Sequence, residues 1–119
     1  MAAEKTITRT HIVFALKQTR DFSGRNLSGL DLRELNLSNV NFSGANLTGA
    51  NFTGTNLTGA DFTGANLTNA DFTDAVLRFA KLERTRLNGA TFIGTNMGAN
   101  DLLYDEEIDQ PTSAAAATA

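Results

Sequence analysis

From Phe22 to Leu102 a large apolar residue stands at every fifth position: Phe22, Leu27, Leu32, Leu37, Phe42, and so on through Phe92, Met97 and Leu102, 17 in succession. Two residues before most of them is a small one, as at Ala45, Ala50 and Ala60, or Thr at Thr55, Thr85 and Thr95. Asn or Asp falls between the two, Ser or Thr follows, and the fifth place is most often Gly. A period of five fits neither the 3.6 of a helix nor the 2.0 of a plain strand. Within each unit, however, the small and large residues are two apart, so an extended chain turns both to one side and the Asn/Asp and Ser/Thr to the other. The fifth residue then supplies a corner, because Gly accepts the positive φ of a sharp turn. Side and corner, repeated, predict a solenoid whose coils stack at about 4.7–4.9 Å, with backbone groups paired between coils.

The unit, Ala, Asn or Asp, Leu or Phe, then two variable residues, resembles that of the pentapeptide-repeat family over roughly residues 20–104. The resemblance implies an all-β fold, a right-handed quadrilateral β-helix with four pentads per coil and about four coils. Large residues then form columns twenty apart. Phe22, Phe42, Phe62, Leu82 and Leu102 line one wall, Leu32, Phe52, Phe72 and Phe92 the opposite one, and Phe is expected to stack on Phe along both.

Solenoid ends need covers. Residues 1–19 are read as an N-terminal capping segment over Phe22 and Leu27. Ile12, Val13 and Leu16 stand at helical spacing, while TITRTHIVFA also passes as a strand; the reading taken is helix. Arg20 and Arg25 fall on inward small-residue positions and Leu30, Leu35 and Val40 are oversized there, so the first coil is expected to splay. Leu103 and Tyr104 are placed to plug the far end, and residues 105–119, acidic and then rich in Ala and Thr, are read as a disordered or weakly helical tail.

The repeat fails most clearly at Val76 to Gly89. Outward Asn/Asp positions become Val76, Lys81 and Arg86, Ser/Thr positions become Arg78 and Glu83, and corners carry Phe79 and Arg84. Ile93, Leu103 and Tyr104 are outward nearby. Arg and aromatic side chains are what interface centres use, so Arg78, Phe79, Lys81, Arg84, Arg86, Ile93, Leu103 and Tyr104 form a candidate docking site for a protein partner.

Composition narrows the functions. The net charge of -3 comes from an acidic end, with Asp105, Glu106, Glu107 and Asp109, and no part is basic enough to predict nucleic-acid binding. There is no Cys, which fits a cytoplasmic setting and removes thiolate metal sites, disulfides and Cys nucleophiles. The apolar run Ile12 to Leu16 is too short for a signal-peptide core or a membrane span. His11 lies outside the repeat without a nucleophile beside it, so no catalytic set, cofactor, metal or small-molecule substrate is expected. Seven N-x-[ST] matches, from Asn26 to Asn66, follow from the repeat itself. The leading reading is a non-enzymatic scaffold or protein-interaction module, with coil ends that would permit homo-oligomerisation; a structural part of a larger assembly fits the same residues. From the resemblance alone comes an alternative, a DNA mimic that modulates type II topoisomerases as quinolone-resistance proteins do. A third reading takes the Thr columns, Thr48 with Thr68 and Thr53 with Thr73, as a lattice-binding face.

Overall fold

Every fifth residue leaves the extended conformation, so no side of the solenoid is long enough for a continuous strand. The computed structural model describes residues 7–98, and its β structure there consists of isolated parallel bridges, each between residues i and i + 20. They run from Asp21 with Asn41 to Val76 with Asn96. The unit around Phe62 shows how the backbone is used. Asp61 N–H donates to Val40 C=O at 3.0 Å, Phe62 N–H to Lys81 C=O at 2.8 Å, and Gly64 N–H to Glu83 C=O at 3.0 Å. Ala65 N–H closes a four-residue turn onto Phe62 C=O at 2.8 Å. Three donors thus go to neighbouring coils and one makes the corner, which accounts for the extended sides and the corners together.

Inside, Phe22, Leu27 and every later large position through Met97 are buried, with the Ala, Thr55, Thr85 and Thr95 of the small positions. Phe42 stacks on Phe62 with centroids 5.4 Å apart, and Phe52, Phe72 and Phe92 stack at 5.0 and 5.1 Å. The two Phe columns also meet across the axis, edge to face, at 5.9 Å for Phe52 with Phe62 and 6.0 Å for Phe62 with Phe72. Stacked and T-shaped pairs are both favourable, so alternating Phe and Leu along the chain gives Phe42, Phe52, Phe62 and Phe72 partners of both kinds. The buried Thr hydroxyls are used as well: Thr55 Oγ1 donates to Leu32 C=O and Thr95 Oγ1 to Phe72 C=O, each at 2.6 Å.

The N-terminal segment is helical: α1 spans Arg9–Ala15. Thr8 is its N-cap, and Thr8 N–H donates to His11 Nδ1 at 2.9 Å while His11 N–H donates to Thr8 Oγ1 at 3.4 Å. Histidine here takes the place that Glu or Gln holds in a capping box. Ile12 is buried and Ile7, Ala15 and Leu16 are half-buried, whereas Val13 and Phe14 are exposed; the inward face is thus one position off the Ile12, Val13, Leu16 set. Arg9 fixes the helix to the first coil through Arg33 C=O at 2.8 Å and Asp31 C=O at 3.2 Å.

Two expectations for that coil are corrected. Arg20 and Arg25 are exposed rather than inward, and Arg20 Nη1 reaches Asn36 C=O at 3.0 Å. Nor does the coil splay, since Asp21, Asn26, Asp31 and Asn36 all bridge to the next one. With no earlier coil to close against, a long cation at an inward register position turns to water at little cost. Leu30 and Val40 are meanwhile accommodated in the core.

Candidate functional site

Most of the outward surface is locked by a local motif. At Asn51, Oδ1 accepts Thr53 N–H at 3.0 Å and Thr53 Oγ1–H at 2.6 Å, and the same pair of bonds forms at Asp61 with Thr63, Asn66 with Thr68 and Asp71 with Thr73. The Thr hydroxyl protons of Thr48, Thr53, Thr68 and Thr73 are therefore directed back to Asn or Asp, which leaves the Thr columns a poor donor face for a lattice. At Asp61, burial acts to raise the carboxyl, but the two bonds from Thr63 and the Lys81 ammonium nearby hold it below the usual carboxylate range. At Asp31 the bond from the Arg33 side chain dominates, with Arg33 Nε at 2.8 Å and Arg33 Nη2 at 2.9 Å, and its carboxyl is held far below that range.

Val76, Lys81 and Arg86 have no side-chain acceptor, so the coil they occupy cannot form this lock. The chemistry that replaces it is laid around the rod rather than gathered on one face. Phe79 is 68% exposed, and Arg78 lies over its ring with Cζ 5.5 Å from the centroid. These two form one compact cationic and aromatic group. Lys81 begins the next side, bridged to Asp61; Arg84 is at the following corner; Arg86 is on the side after that, bridged to Asn66. All three are exposed. Ile93 is 56% exposed and stands in the column of Thr73, on the side before that of Arg78 and Phe79 and one coil further on. Leu103 and Tyr104 lie outside the described residues, as does the 105–119 segment.

Phe79 is also conformationally unusual. Its φ is 63°, the left-handed region that Gly, Asn or Asp fills at most other corners. A bulky aromatic there is strained, on the order of 1–2 kcal/mol, and its exposed ring recovers little of that by burial. The side chain is held in a place that neither backbone preference nor the hydrophobic effect favours.

At the other end, between α1 and the first coil, Ile7, His11, Ile12, Ala15, Thr19, Phe22 and Arg25 line an open cleft of about 350 Å³. Its wall is largely apolar, and His11 Nδ1 is engaged by Thr8. Among the described residues no group of three or more His, Cys, Asp or Glu is placed to hold a metal ion, and no helix is long and apolar enough to cross a membrane.

A family model described as "Pentapeptide repeats (8 copies)" matches the chain at residues 21–54, 36–74 and 70–98. Among solved structures, a pentapeptide repeat protein from Nostoc Pcc 7120 is similar at 29% identity and a TM-score of 0.62, covering 91% of this chain and 89% of its own. The pentapeptide repeat protein Rfr23 from the cyanobacterium Cyanothece 51142 is similar at 24% identity and a TM-score of 0.56, covering 87% of this chain and 92% of its own. QnrB1, a plasmid-mediated fluoroquinolone resistance protein, is similar at 18% identity and a TM-score of 0.39, covering 76% and 52%; a match that weak says nothing about the role of this chain. No curated protein sequence matches.

Proposed function

Because the chain belongs to the pentapeptide-repeat family, whose members wind as right-handed β-helices, we propose that it is a non-enzymatic, quadrilateral rod of about four coils that docks a protein partner through its Val76–Gly89 coil. A cytoplasmic setting is part of this reading. The observation that carries it is Phe79. An exposed aromatic at a left-handed corner, with Arg78 laid over its ring, has a cost in the isolated molecule that a partner would offset by burying it. Arg84 at the next corner, Lys81 and Arg86 extend the same surface around the rod. The cationic coil works against DNA mimicry. Residues 20–98 carry seven acids and seven bases, whereas a duplex carries one negative charge per about 1.7 Å. Absence of any effect on gyrase supercoiling is the expected result.

Phe79→Gly separates docking from folding. It removes the left-handed strain, so urea midpoints should correspond to about 1 kcal/mol of added stability, while capture of the partner from native extract is lost. Capture that survives Phe79→Gly and Arg78→Ser together would remove the docking reading.

A further inference from the structure

Inside the solenoid each side turns three main-chain groups toward the coil before it. On the Leu47 side Asn46 N–H donates to Arg25 C=O at 2.9 Å, while Asn46 C=O accepts from Leu27 N–H at 2.7 Å and Thr48 C=O from Gly29 N–H at 2.8 Å. The first coil has no predecessor, so its four sides present the same groups as an edge. Nearby side chains cover part of it. Arg9 Nη1 donates to Asp31 C=O and Arg33 C=O, Arg20 Nη1 donates to Asn36 C=O, and Thr19 Oγ1 accepts Asp21 N–H at 3.0 Å. The Leu27 side is different. None of its three groups, Asn26 N–H, Asn26 C=O and Ser28 C=O, has a partner among the described residues, and both residues are exposed. The cleft against α1 reaches this same edge, since Phe22 and Arg25, the residue before Asn26, line it.

A chain laid along Asn26 to Ser28, in the place of a preceding coil, turns alternate side chains inward over the end of the core. Helix α1 crosses that end with Ile12 buried in the core, so a second first coil cannot stack flat there, whereas an extended segment has to reach only the one open side. We propose that this side binds an extended peptide segment of a partner protein, parallel to it like every bridge of the described rod. Its main chain pairs with Asn26 and Ser28, one apolar side chain enters the cleft beside Ile12 and Phe22, and its outward residues are acidic. Edge addition of this kind takes affinity from the main chain and selects side chains by the pocket beneath. The acidity follows from the charge of the end: residues 7–40 carry Arg9, Lys17, Arg20, Arg25 and Arg33 against Asp21, Asp31 and Glu34. The site is separate from the Val76–Gly89 coil, because Asn26 and Arg86 are the first and last described members of one column, three coil spacings or about 14 Å apart.

Isotope-labelled full-length protein, titrated with a blocked peptide of about six residues in which Leu alternates with Asp and Thr, reads this directly. The expected result is a shift of the Asn26 amide with about tenfold slower exchange at saturation, together with shifts at Ile12 and Phe22. Affinity should fall several-fold in about 0.5 M salt, or when Lys replaces the peptide's Asp. Inner coils send the N–H of each inward Leu or Phe to the next coil. Methylating the peptide's Leu nitrogens should therefore abolish binding, and methylating its Asp and Thr nitrogens should not. Ala15→Leu, which narrows the cleft from α1, should weaken binding about tenfold without lowering Tm. No shift at Asn26, equal effects of the two methylated sets, undiminished binding to Ala15→Leu, or an Asn26 shift that appears on concentrating the protein alone overturns the proposal. Phe79→Gly should leave this binding unchanged; its loss there would move the peptide to the other coil and overturn the site without touching the docking reading.

Discussion

An outward Asn or Asp closes back on its own chain, Oδ1 accepting from the N–H and hydroxyl two residues on, and so fixes the approach to each corner before any other coil is present. Asn51→Asp keeps the acceptor and should leave stability unchanged within about 0.5 kcal/mol, whereas Asn51→Ala should lose about 1–2 kcal/mol by chemical denaturation. The carboxylate versions add a pH response. Asp21, Asp31 and Asp61 have folded-state pKa values below their ordinary ones, so the unfolded chain takes up protons first as pH falls. Their contribution is in place above about pH 4 and is lost on acidification below it. Urea midpoints that stay level or rise between pH 5 and pH 2.5 would contradict this. The residues of the motif were legible as seven N-x-[ST] matches, but their purpose was not: a glycosylation pattern and a turn lock share one spelling, and only the bond directions separate them. Phe79 shows the complementary limit. Its place at an outward corner followed from the period, while the exposure of its ring and the Arg78 guanidinium laid over it required coordinates.

At the scale of elements the corners obey a rule across coils. Glu34, Asn39, Asn69 and Asp74 have positive φ, and each leans its side chain over the corner twenty residues later, which is Gly54, Gly59, Gly89 and Gly94 in turn. A Cβ on Gly59 would collide with Asn39 Oδ1, while one on Gly44, whose predecessor is Gly24, would meet nothing within 4 Å. The alternation is visible in the sequence once the coil length is known, and invisible at the five-residue period. Helix α1 was less legible. Its apolar residues also suit a strand, and what decides for helix is the pair Thr8 and His11, because histidine seldom stands where Glu or Gln completes a capping box. His11→Gln should preserve the cap, and His11→Ala should lower stability by about 0.5–1 kcal/mol in thermal melts, with faster amide exchange across Arg9–Ala15. Equal behaviour of the two variants would show that the bond to Thr8 contributes nothing.

For the whole molecule the coil, not the pentad, is the unit of cooperativity, because bridges, Phe stacks and corner contacts all join i to i + 20. Removing twenty residues keeps every column in register; removing five moves each wall onto its neighbour. Yet two twenty-residue deletions should differ. Without residues 61–80, Glu34 still faces Gly54, Asn39 still faces Gly59, and the newly joined corners among the described residues are Gly44 with Arg84, Gly49 with Gly89 and Gly54 with Gly94. Without residues 41–60, Glu34 comes to lie against Asp74 and Asn39 against Phe79, two side chains at left-handed corners that each need a glycine beside them. The 61–80 deletion should therefore unfold in one transition with a smaller denaturant slope, as expected for one coil less surface. The 41–60 deletion should be less stable than it by about 1–3 kcal/mol, and the 61–65 deletion should be the least stable of the three. Equal midpoints for the two coil deletions would show that corner crowding is relieved freely, and a 61–65 deletion as stable as either would show that the Phe columns do not set the register.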